Sequence, residues 1–428
     1  MRILLINSSD TGGGASIAAL RLLNALNNHG YYARMGVVSK ETENPNVFLL
    51  PKKKHILLFK FSKKIIRYLN KIFNPVTKRL KKINSFKTTN EIAHSKNLIT
   101  ETDIQWINKS DYDVVNLHWI CDVISIKDIS KITKPLIWTM HDTWPFCGAE
   151  HYPNILENDQ RYKYKYTRKN KPKSTKGFDL CKKIWRQKNK YLRNMNLTFI
   201  SPSSWEADCL SESSLFFDKK CFVIPNIIPN EDFKKIDNGN EIRRILNIPN
   251  GKIILGFGAA YGINNPKSVK GSFYLLEALK KIEDKNKYFI IIFGNAKEEF
   301  TSQITINYLN AGFISNPKIL ALLYNSCDLF ICPSLIENLP NTCLEAIFCG
   351  VPVIAFNVGG TKDIVSHKEN GYLAIPYNID DLIQGIKWCS NNHNELSDNC
   401  LKKAKFDFDS NKTINSYIGA YEYVINNQ

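Results

Sequence analysis

The chain has no apolar run near the roughly 18 to 20 residues that span a bilayer. It also has no secretory-type opening: "MRILLINSSD" passes from a short apolar run into polar residues and glycines, and reads as a first strand. The eleven cysteines are an odd number and contain no C-x-x-C pair. That argues against a disulfide framework or zinc knuckle and for reduced thiols in a cytosol. Acidic residues are missing from one long stretch. Residues 51–88 hold 13 Lys and Arg with no Asp or Glu, and residues 161–190 hold 13 more against the single Asp179. Against a total of +18, the rest of the chain is therefore mildly acidic. Two basic insertions on an acidic body point to a local electrostatic partner rather than a generally basic protein.

What is present is a globular composition, 43% hydrophobic and 23% charged over 428 residues, enough for two ordinary domains. Strand-like runs alternate with helical patterns, which predicts parallel sheets. "RILLIN" leads through a glycine turn to "ASIAALRLLNALNNHG" and then "YARMGVVS". "DVVNLHW", "PLIWTM" and "LTFISPS" follow the first basic insertion. A second series runs from "CFVIPN" through "KIILGFG", "YFIIIFG", "DLFICPS", "PVIAFN" and "GYLAI". The expected organisation is α/β, with two doubly wound domains over residues 1–205 and 206–408. A last helix, 409–428, is expected to fold back on the first domain.

Ligands of such sheets sit outside the carboxyl ends of the strands, and three loops there carry chemistry. "SSDTGGGAS" offers Gly13 and Gly14 at a strand-to-helix turn, where backbone can approach an anion and a helix start favours it. It lacks the spacing of a Walker loop or dinucleotide fingerprint, so a plain tight turn is the competing reading. "WTMHDTWPF" places His141 after an apolar strand, beside Asp142 and Trp144. "ENLPNTCLE" sets Glu337 and Glu345 eight apart, after one buried strand and within the next helix.

This last stretch resembles the glutamate pair, with seven residues between, of retaining glycosyltransferases with the GT-B fold, particularly glycosyltransferase family 4. "NSSDTGGGASIAALRLLNAL" and "HDTWPFCG" are similar to its colanic-acid and exopolysaccharide subgroup. "VIPNIIP", "KGSFYLLEAL", "DLFICPSLIENLPNTCLEAIFCGVPVIAFNVGGTKDIV" and "NGYLA" are similar to the donor domain. The resemblance implies a GT-B fold whose two domains face across a cleft. It implies a UDP- or GDP-linked sugar as substrate, no cofactor, and retention of anomeric configuration.

It further implies that Glu337 faces the donor sugar and that Glu345 chelates the ribose hydroxyls. Asn338, Leu339, Pro340 and Asn341 would present a helix start to the diphosphate. Phe313 and Ile314, in "LNAGFISN", would lie near the base. His141 would stand between donor sugar and acceptor, with Trp119, Asp142 and Trp144 on the acceptor side. The similar enzymes carry an Arg where this chain has "GFGAAYG"; Lys270 matches their Lys, and Lys267 is the nearby substitute. A metal is not expected, because "DYD" at 111–113 precedes its strand and "DFD" at 407–409 lies in the tail.

The first insertion interleaves lysines with aromatic and aliphatic residues, which suits an anionic membrane surface; no motif supports nucleic acid. The reading is an enzyme at the inner membrane face that extends a lipid-linked surface glycan. A GT-B sugar-nucleotide epimerase, or a non-catalytic glycan- or nucleic-acid-binding protein, are the alternatives.

Overall fold

The computed structural model of the chain describes residues 1–53, 94–154, 157–175, 177–237 and 239–427. Its strands read as continuous apolar runs rather than alternating ones because helices cover both faces of each sheet. β1 (Arg2–Ile6) and β4 (Val114–Leu117) are neighbours at the centre of a seven-stranded parallel sheet. On the β1 side follow β2 (Tyr32–Val37) and β3 (Val47–Leu49). On the β4 side follow β5 (Leu136–Thr139), β6 (Thr198–Ser201) and β7 (Cys221–Val223). The order β3-β2-β1-β4-β5-β6-β7 reverses between β1 and β4, so their carboxyl ends open a crevice there.

The second sheet has the order β10-β9-β8-β11-β12-β13 and is again parallel. Its central pair is β8 (Ile253–Ala259) and β11 (Leu329–Cys332). β9 (Tyr288–Gly294) and β10 (Asn307–Gly312) flank β8; β12 (Val353–Phe356) and β13 (Gly371–Ala374) flank β11. The switch between β8 and β11 places the Glu337 loop at this second crevice.

One boundary moves. β7, from "CFVIPN", hydrogen-bonds to β6 and closes the first sheet instead of opening the second series. A three-residue strand carries no sign of its partner; only the adjacent β6 edge decides it. The long helix Ile379–Asp407 ends at Phe408, and Asp409 caps the helix Ser410–Asn426 through the Lys412 amide at 2.8 Å. That last helix packs Ile414, Tyr417, Ile418, Tyr421 and Val424 into the core of the first sheet, among Ile3, Leu5, Val114 and Ile200. Asn116, on β4, donates to the Tyr421 hydroxyl at 2.8 Å.

The two basic stretches are described only in part. From residue 54 onward the first lies outside the described residues, and with it the segment expected to dock on lipid. Lys52 and Lys53 are engaged within the chain, with Glu101 at 3.1 Å and Asp128 at 2.8 Å. In the second stretch, two cations are internal. Arg161 is buried between Asp159 and Asp179, at 3.0 and 3.2 Å, and Lys188 is wholly buried. Among the described residues no helix is long and apolar enough to cross a membrane.

Candidate active site

In the first domain the strand ends bring together two histidines. His118 follows β4 and His141 follows β5, and because these strands are paired, His118 Nδ1 and His141 Nε2 lie 3.0 Å apart. Burial depresses both: His141 falls to about 4 and His118 well below the ordinary range, the neighbouring ring adding to the effect on His118. Both rings are therefore neutral at pH 7, one donating and the other accepting. His118 is buried and its Nε2 has no hydrogen-bond partner; His141 is part-buried.

The residues flanking His141 hold the loop together. Asp142 accepts from Trp119 Nε1 at 3.0 Å, from the Trp144 amide at 2.9 Å and from His151 Nδ1 at 2.5 Å. Burial works against charge on both partners, yet each carries the other: Asp142 stays below the usual carboxylate range and His151 is pushed up to about 10. Trp144 is buried against Trp138 and donates to the Ser95 carbonyl at 3.1 Å. Trp119 is part-buried and stacks on His151. Beneath the loop, Lys188 donates to the carbonyls of Trp144, Cys147 and Gly148.

The glycine loop meets the second domain. Gly13 precedes the helix Gly14–Asn28, and the space beside its Cα is open. The Gly14 carbonyl accepts from Asn341 Nδ2 at 3.1 Å, so the starts of two helices, one from each domain, stand against each other. Each start favours an anion. Tyr261, after β8, reaches the same loop at Gly12.

Glu337 lies on the loop after β11. The chain can pass beneath it only because residue 359 is glycine: φ is +56°, and a Cβ there would stand 1.9 Å from the Glu337 carbonyl oxygen. Lys270 Nζ donates to Glu337 Oε1 at 2.6 Å. Burial opposes the charge on Lys270, but the Glu337 carboxylate outweighs it and raises its pKa. Lys270 thus reaches the Glu337 carboxylate, at the same strand ends. Lys267 is exposed one turn away, its amide bonded to Asn265.

Glu345, within the helix Asn341–Phe348, already holds two partners. Its Oε1 accepts from Arg21 Nη2 of the first domain at 2.7 Å and its Oε2 from the Tyr324 hydroxyl at 3.0 Å. Each carboxylate oxygen thus keeps one further acceptor position.

Asn338 is likewise a joint between domains. Ser203 Oγ donates to its Oδ1 and its Nδ2 donates to Glu206, both at 2.6 Å. Burial holds the Glu206 carboxyl well above its usual range, with Asp142 adding. Leu339 is buried, its carbonyl accepting from Asn226, and Pro340 precedes the helix. Phe313 is exposed just past β10 at the sheet edge; Ile314 is partly buried in the cluster that includes Tyr324. Sequence reasoning missed Arg21, His118, His151, Lys188, Glu206 and Tyr324. For His118 a signal existed, its place at the end of an apolar strand.

Residues 239–406 match the family described as glycosyl transferases group 1. An uncharacterised glycosyltransferase of Haemophilus influenzae is 30% identical over 191 residues, 42% of this chain and 50% of that protein. The N,N'-diacetylbacillosaminyl-diphospho-undecaprenol alpha-1,3-N-acetylgalactosaminyltransferase of Campylobacter jejuni is 29% identical over 165 residues, 37% of this chain and 43% of that protein. The chain thus spans about half the length of the curated relatives it matches. Anabaena HepE, solved with UDP and glucose, superposes with a TM-score of 0.63 at 17% identity, covering 99% of this chain and 100% of that one. Two facing Rossmann-like domains with parallel sheets make this the GT-B fold.

Proposed function

We propose that this GT-B chain, whose residues 239–406 match glycosyl transferases group 1, moves a sugar from a nucleotide-diphosphate donor to a growing lipid-linked surface glycan. One observation carries the reading: the helix starts at Gly14 and Asn341 meet across the two domains, in a chain that also pairs Glu337 with Lys270 and Glu345 with Arg21. The diphosphate binds at the helix starts, the donor lies mainly in the second domain, and the base reaches toward Phe313 and Ile314. Negative charge growing on the leaving phosphate meets oriented amides and the end of Lys270. Glu337 accepts from the sugar hydroxyls. His141, neutral, places no cation beside the anomeric carbon as positive charge develops there.

In the retaining, metal-independent course, the acceptor hydroxyl attacks from the face the phosphate leaves. The anomeric carbon–oxygen bond to phosphate breaks, the new glycosidic bond forms, and the acceptor proton passes to the departing phosphate oxygen. The Campylobacter relative is named for an undecaprenol-linked substrate, which supports a lipid-linked acceptor here. With it comes a cytoplasmic site at the inner membrane face, docked through the basic residues of 51–88.

A thermal-shift panel of nucleotide sugars tests the donor, since a ligand at 100 times its Kd adds about 2.7 kcal/mol. Hydrolysis or transfer of the stabilising donor must then vanish in Glu337→Ala. Isomerised donor without an acceptor would instead mark an epimerase, and binding without turnover a non-catalytic protein. Sedimentation with anionic vesicles, weakening steeply as salt rises, tests the membrane surface.

A further inference from the structure

We propose that His118 is a positioning residue for His141: it donates from Nδ1 to His141 Nε2 and so holds His141 in its Nδ1–H form, a hydrogen-bond donor to a substrate oxygen and not a base. The inference rests on the sugar-transfer reading above. Its starting point is the line between the two rings. His118 Nδ1 and His141 Nε2 are 3.0 Å apart, while the ring centres are 5.3 Å apart with their planes tilted by 25°. The centres are thus farther apart than the nitrogens by about two ring radii, so the rings meet edge to edge, with both nitrogens close to the line of centres. There the N–H of one ring points at the in-plane lone pair of the other. His118 is held on that line. It is 3% exposed, its amide donates to the Ile6 carbonyl at 2.9 Å, and its own carbonyl accepts from Trp138 Nε1 at 3.1 Å.

Burial keeps both rings neutral near pH 7, so a single proton lies between them. Two arrangements can share it. If His141 donates, His118 carries its own proton on Nε2, a buried N–H with no acceptor. If His118 donates, its Nε2 is a bare lone pair instead. Buried backbone N–H groups without an acceptor are rarer than underused carbonyls, and the same penalty selects the second arrangement here. His141 Nε2 then accepts, and its proton sits on Nδ1, the nitrogen left for a ligand. Asp142, next in the chain, is turned to Trp119, Trp144 and His151, which leaves the orientation of His141 to His118. A ring so arranged gives a hydrogen bond to an oxygen and does not take the acceptor hydroxyl's proton. That agrees with the proton passing to the departing phosphate oxygen.

Long-range proton–nitrogen correlation spectra of the full chain, labelled in its histidine rings and free of substrate, read which nitrogen of each ring carries the proton. His118→Asn and His141→Gln identify the two rings among the eight histidines. His141 and His118 are both expected to be protonated at Nδ1 and bare at Nε2; a proton on His141 Nε2 overturns the inference. In hydrolysis or transfer of UDP- and GDP-linked sugars, His118→Leu is expected to lower turnover by at least about tenfold, the scale of a partner lost from a buried pair. Donor KM should stay within about threefold, because the contact acts on the reacting state. His118→Asn places an amide N–H near the former Nδ1 and is expected to regain most of that loss. Turnover as low in His118→Asn as in His118→Leu, or parent-like turnover in His118→Leu, overturns the positioning role. If His118→Leu does not fold, the spectra of the parent and the turnover of His118→Asn decide. A parent that turns over no UDP- or GDP-linked sugar overturns the transfer reading, and the positioning role with it, while the spectra still report the tautomer.

Discussion

The Lys188 ammonium stands 3.7 Å from the centre of the Trp144 ring and also donates to that residue's carbonyl. A cation from the second basic stretch is thus the internal tie of the histidine loop. Lys188→Met keeps most of the volume but leaves three buried carbonyls without their donor. We expect a loss of about 2–4 kcal/mol in urea unfolding. A loss under about 0.5 kcal/mol, the scale of surface substitutions, would show that water or another group takes over.

The neutral histidine pair makes stability sensitive to acid. The unfolded chain takes up protons near the ordinary histidine value of 6.5, whereas folded His141 waits until about 4. Between those values the unfolded state holds more protons, so stability is complete above pH 6.5 and falls as pH drops toward 4. His118, also depressed, adds in the same direction. His151 acts oppositely: raised to about 10, its contribution is complete below pH 6.5 and fades as pH climbs through 10. His141→Gln should flatten the acid fall of Tm between pH 6.5 and 4 relative to the parent; an unchanged slope would assign that fall to other groups.

His141 and Glu337 should separate in kinetics. His141→Ala is expected to leave nucleotide affinity within about threefold and slow transfer by at least an order of magnitude, the usual scale for a positioned polar group at the reacting centre. Glu337→Gln should reduce turnover about a hundredfold or more, comparable with removal of one oriented charge partner. Transfer at the parent's rate in His141→Ala would return that ring to a purely structural role.

Gly359→Ala is expected to damage the site through backbone alone. Its φ of +56° and the 1.9 Å approach of a Cβ to the Glu337 carbonyl force the loop to shift. We expect a destabilisation of about 1–3 kcal/mol and turnover lost along with it. Calorimetry and donor hydrolysis on the same sample would check both, and a stable, active variant would mean that the loop yields easily.

The strands were legible because a parallel strand covered on both faces announces itself as an unbroken apolar run. The place of Glu337, on the loop after β11, was legible because a carboxylate closing such a run is unusual. Arg21 and Lys188 were not. A cation on a helix looks the same in sequence whether it meets water or a carboxylate 324 positions away. The partners of Asp142 and Trp144 were not legible either: their side chains turn to His151, Ser95 and Lys188, which come from elsewhere in the chain. β7 was misplaced for a related reason, since three residues cannot declare which sheet edge they join.

The return of the Ser410–Asn426 helix to the first sheet makes that domain discontinuous in sequence. The chain crosses between domains twice, after Val223 and again at Phe408–Asp409. Any rotation that opens the Arg21–Glu345 contact must flex both crossings together, which confines it to an axis running through them. The same arrangement sets a rule for recombination. A chimera that exchanges donor domains at a single junction would strip the helix from Ile3, Leu5, Val114 and Ile200 and offer them a foreign one. Only a graft with two junctions, the second before Ser410, keeps that apolar surface under its own cover.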